Sequence, residues 1–102
     1  MAEHTEQVKR VLEMEKNYLS LKTAIDELEE ALSHFRSVCP CGDVLEEYYT
    51  SPQWRKDFED DENGKIIPEI NKGVLSEDGI YNLLERKKEL LEELSEFLDE
   101  LK

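Results

Sequence analysis

A chain of 102 residues has room for one domain with one small core, and this one sets 26 acidic side chains against 13 basic ones, a net charge of −13. That field repels phosphate backbones and anionic lipid surfaces, so neither a nucleic-acid nor a membrane partner is expected. No apolar run approaches the roughly 20 residues that span a bilayer, and the polar stretch Met1 to Arg10 lacks the apolar core of a secretion signal. The expected location is therefore cytoplasmic, with Cys39 and Cys41 reduced.

The first element is the strongest signal in the chain. Val11, Met14, Tyr18, Leu21, Ile25, Leu28, Leu32 and Phe35 recur at alternating spacings of three and four, the a/d seam of a long helix that packs on other helices. Val8, Ala24, Ala31 and Val38 widen that face. The helix is predicted from Thr5 to Val38, with Pro40 and Gly42 as its stop. Asp43 and Glu46 then resemble a capping box, opening a short helix from Val44 to Tyr49. Ser51 and Pro52 read as N-cap and first position of a second short helix reaching Asp61, with Trp54 and Phe58 on one face of it. Asn63-Gly64 breaks that helix, and residues 65–75 read as a loop pinned by Ile66, Ile67 and Ile70. The last helix is predicted over 77–101. Ser76 is its expected N-cap, Leu75 staples to Ile80, and Leu83, Leu90, Leu94, Phe97 and Leu101 form a stripe that Lys87 interrupts.

Four groups of residues bear on function. Setting Gly64 at the sixth position of a calcium loop puts Glu59, Asp61 and Asn63 at the first, third and fifth, but the twelfth position, which must supply a bidentate carboxylate, is Ile70. Cys39 and Cys41 with His34 offer three ligands and no evident fourth. Glu92-Glu93-Leu94-Ser95-Glu96 resembles the magnesium-holding EExxE of all-α nucleotide pyrophosphohydrolases without the second acidic pair that chemistry needs. Glutamates on the outer face of an amphipathic helix serve solvation equally well. Tyr48, Tyr49, Trp54 and Phe58 crowd into eleven residues, either as core rings or as an aromatic contact for a partner.

Residues 43–84 carry a resemblance. Tyr48-Tyr49-Thr50-Ser51-Pro52-Gln53-Trp54, then Asp57, Asp61-Glu62, Gly64 and Pro68, then Gly73-Val74-Leu75-Ser76-Glu77-Asp78, resemble a family of small bacterial proteins catalogued as domain of unknown function 4298. The matching motif residues are Tyr49, Ser51, Trp54, Asp57, Asp61, Gly73, Ser76, Glu77 and Asp78. The resemblance implies a bacterial, cytoplasmic, helical protein and carries over no catalytic residue.

The expected fold is all-α: a single domain over 1–102, in which two long helices form an antiparallel hairpin and two short ones pack across it. Trp54 is expected to be mostly buried against the long helices. The expected function is a non-enzymatic interaction module with no cofactor, whose partner is another protein or a second copy meeting the N-terminal helix. Tyr49, Trp54 and Phe58 are its candidate contact residues. The rival reading is a divalent-cation binder or metal-dependent enzyme using Asp57, Glu59, Asp61 and Glu62.

Overall fold

The computed structural model describes residues 2–102, and among them every regular element is helical: α1 (Ala2–Tyr49), α2 (Pro52–Glu62), a 3-10 turn (Gly73–Leu75) and α3 (Gly79–Glu100). The all-α expectation holds. The chain divides into two compact units, Met1–Cys39 and Pro40–Lys102.

The first unit is a run of α1 with no glycine or proline to interrupt it, built from strong helix formers. Lys22 and Asp26, one turn apart, pair at 2.9 Å on its surface. Its apolar seam is open to solvent. Among the described residues of this unit only Phe35 and Cys39 are part-buried.

The boundary predicted at Val38 is overturned: α1 passes through Pro40 and Gly42 and ends at Tyr49, so the short helix expected over 44–49 is its last turns. Proline removes one hydrogen bond, that to the carbonyl of Arg36, but its φ is itself helical. The apolar pattern resumes beyond it with Leu45, Tyr48 and Tyr49, all half-buried, which rewards continuation. Gly42 lies where α3 comes close. A Cβ there would be 3.1 Å from Lys87 Nζ and 3.9 Å from Leu84 Cδ2. Lys87 thus occupies a seam position of α3 by lying along the last turns of α1.

The second unit has its core at the junction of the 3-10 turn and α3. Leu75 and Ile80, the pair predicted to staple the last helix, are the two buried apolar residues among those described, at 8% and 2% exposed. The start of α3 differs from expectation. Asp78, not Ser76, is the N-cap, and the helix opens at Gly79. The Ser76 hydroxyl is already committed, donating to the Gly73 carbonyl at 3.0 Å and closing the preceding turn. Gly79 is required by that turn, since a side chain there would collide with Ser76 Oγ and the Gly73 carbonyl. The loop is held differently from expectation too. Ile67 and Ile70 are exposed and Ile66 alone of the three is part-buried, so two of the three isoleucines do not pin it.

Candidate interaction surface

Seven consecutive seam side chains of α1, Val11, Met14, Tyr18, Leu21, Ile25, Leu28 and Leu32, are 46–64% exposed. They follow one another along one face for about 30 Å at 1.5 Å per residue. Charged residues at the flanking position after each d residue, namely Glu15, Lys22, Glu29 and Arg36, are also exposed. The described part of α1 thus carries a continuous exposed apolar stripe rimmed by charge.

The candidate aromatic contact is arranged otherwise. Ser51 caps α2 by accepting from the Trp54 amide at 3.3 Å, with Pro52 in the first turn, as the sequence predicts. That fixes Trp54 on the first turn, where it stacks on Phe58 with centroids 5.2 Å apart and meets Tyr49 edge-on at 4.9 Å. Its Nε1 donates to the Val74 carbonyl at 2.8 Å. Tyr49, Trp54 and Phe58 are half-buried. The expectation that Trp54 is mostly buried against the long helices is corrected: its neighbours are its own helix, the end of α1 and the 3-10 turn.

The acidic segment is tied into the same framework. Asp57 accepts from Tyr48 Oη at 2.6 Å and from Gln53 Nε2 at 3.0 Å. The tyrosine hydrogen bond, followed by the glutamine one, holds the Asp57 carboxyl below its ordinary value. Tyr48 is pushed up to about 12, first by desolvation and then by the Asp57 carboxylate it serves. Asp61 pairs with Lys72 at 2.6 Å, both part-buried, and so anchors the loop before the 3-10 turn. Asp60 pairs with Lys56 at 3.2 Å. Glu59 and Glu62 lie on exposed turns of α2.

Gly64 owes its place to the helix end, not to a cation loop. With φ at +72° it lets its own amide reach the Asp61 carbonyl at 3.0 Å while Lys65 reaches the Asp60 carbonyl at 2.8 Å, a Schellman stop. Among the described residues no group of three or more His, Cys, Asp or Glu converges to hold a metal ion. Cys39 and Cys41, two apart on a continuous helix, point to different sides, and both are free thiols. No described helix is long and apolar enough to cross a membrane.

The pairs Tyr48–Asp57, Asp61–Lys72 and Trp54–Val74 escape sequence reasoning. Each joins residues 9 to 20 apart through a turn whose path no periodicity encodes. The one available signal was the capped turn at Ser51-Pro52, which folds α2 back toward the residues just before it. Most of the motif residues that carry the family resemblance, Ser51, Trp54, Asp57, Asp61, Gly73 and Ser76, each make a hydrogen bond around α2 and the 3-10 turn. Among curated proteins and among solved structures nothing matches the chain. A family model does, the Domain of unknown function (DUF4298), over residues 11–97, and the chain therefore belongs to that family.

Proposed function

We propose that this protein is a non-enzymatic helical interaction module that presents the apolar seam of α1 to a partner helix. The observation carrying this reading is the run of seven solvent-exposed a/d side chains from Val11 to Leu32. Left uncovered, such a stripe costs solubility and helix stability, whereas a partner helix buries it by knobs-into-holes packing. Tyr49, Trp54 and Phe58 support the module from within the second unit, where they join α2 to its neighbours.

The test uses a variant that keeps helix propensity and charge while removing the apolar seam, Leu21→Gln with Leu28→Gln. In extract of the native cell, the wild-type chain is expected to run in a complex heavier than the monomer and the variant at monomer mass. Trp54 emission should be the same in both, showing an intact second unit. A wild-type chain that runs as a monomer in extract overturns the reading. Titration calorimetry with calcium, magnesium and manganese addresses the cation-binding rival: millimolar or tighter binding lost in Asp61→Ala would replace the module reading with that one.

A further inference from the structure

We infer that the occupant of the α1 seam is a second copy of this chain, running antiparallel, in the register that sets Ile25 beside Leu28 of the second copy. The inference rests on the interaction-module reading and names its partner. It comes from the charges that flank the seam. With Val11, Tyr18, Ile25 and Leu32 at a, and Met14, Leu21, Leu28 and Phe35 at d, the exposed e positions are Glu15, Lys22, Glu29 and Arg36. Their signs alternate. Read backwards, the same series begins with a cation and alternates in the opposite phase.

Antiparallel pairing sets e against e, so Glu15 meets Arg36 of the second copy and Lys22 meets its Glu29. The two-fold axis, passing between Asp26 and Glu27, repeats both pairs, as an isologous interface requires. In that register the core layers are Tyr18 with Phe35, Leu21 with Leu32 and Ile25 with Leu28, each formed twice. The opposite flank carries Asn17, Ala24, Ala31 and Val38, which bring no charge, and the two alanines let the backbones approach. A parallel pair would set e against g. Lys22, Glu29 and Arg36 would then face Asn17, Ala24 and Ala31, and only Glu15 would find an opposite charge, Arg10.

Net charge permits the pairing. The stretch up to Cys39 holds 8 acidic and 5 basic residues, against 18 and 8 beyond it, so the seam segment carries little of the −13. Exposed ion pairs add little affinity, so here the apolar seam supplies the binding and the charges select direction and register.

The full chain, with Cys39→Ser and Cys41→Ser, is labelled with a nitroxide at Glu27→Cys or at Glu13→Cys, both outside the seam. Light scattering should give the dimer mass. Electron-spin distances should be short at residue 27, within about 20 Å for two helices in contact. At residue 13 they should be about 40 Å, from 1.5 Å per residue on either side of the axis. Short distances at both positions would mean a parallel pair and overturn the inference. Glu15→Lys with Glu29→Lys makes the flank wholly basic and should weaken self-association roughly ten-fold, about 1.4 kcal/mol. Mixing with chains carrying Lys22→Glu and Arg36→Glu should restore a heterodimer, which a merely misfolded variant would not. An unchanged affinity would refute the register. A pure chain that stays monomeric at hundreds of micromolar refutes self-pairing. If that chain still runs in a seam-dependent complex in extract, the module reading survives and its partner is another protein.

Discussion

Three side chains, Trp54, Tyr48 and Asp57, tie the second unit together. Trp54 contributes a stacked face to Phe58, an edge contact with Tyr49 and a hydrogen bond to Val74. Trp54→Ala should cost about 2–3 kcal/mol, below the roughly 3–5 of a fully buried ring because this one is half in solvent. Trp54→Phe should keep most of the packing and lose about 1 kcal/mol with the indole donor. Thermal melts of the two variants check the order, and equal losses would contradict it. Tyr48 and Asp57 make a pH-dependent tie. The folded Asp57 carboxyl titrates below its unfolded value, so the fold gains from it above about pH 4 and loses that gain as pH falls through the folded value. Tyr48 titrates higher when folded, so its contribution is present below pH 10 and is lost as pH rises from 10 toward about 12. Melting temperature against pH should therefore fall at both ends. Tyr48→Phe should remove the alkaline fall, and Asp57→Asn should flatten the acid one. A wild-type alkaline fall that persists in Tyr48→Phe would disprove the assignment.

Among the elements, the helices were legible and their ends were not. Periodicity located α1 and α3 because an apolar stripe is a local property of the sequence, and the Ser51-Pro52 start located α2. Pro40 misled because the rule that proline stops helices weighs one lost hydrogen bond, whereas the outcome includes what Leu45, Tyr48 and Tyr49 gain by continuing. Ser76 misled because two local duties competed for one hydroxyl, and the Gly73 carbonyl won it. The apolar half of the candidate site could be read in advance as the α1 seam. Tyr49, Trp54 and Phe58 were rightly grouped, yet their surroundings depend on Val74, which only the fold brings near. The proline carries its own prediction. Pro40→Ala restores a helical amide inside α1 and should stabilise the chain, by up to about 3 kcal/mol on helix-interior propensity. A lowered melting temperature would show instead that the helix needs the irregularity there.

For the whole molecule, the two units should respond to different variables. Residues 2–39 form helix without a buried apolar residue, so no packing within that stretch adds to its helix propensity. Their protection should therefore depend on whatever covers the seam. The second unit has Leu75 and Ile80 buried and its own hydrogen bonds, although Leu90, Leu94 and Phe97 of α3 are 44–53% exposed, so the protection of α2 and the start of α3 should not follow the α1 seam. Hydrogen exchange on the full chain separates the two cases. If seams pair between copies, amides between Val11 and Phe35 should gain protection steeply with protein concentration by mass action, while those of α2 and the start of α3 hold constant. Leu21→Gln with Leu28→Gln should abolish the concentration dependence and leave the second unit untouched. Salt should have a small effect on the affinity, since the apolar layers carry it. Exchange that rises and falls together in both units at every concentration would mean that the chain folds as one cooperative body, and that the seam is stabilised from within the chain instead of by a second copy.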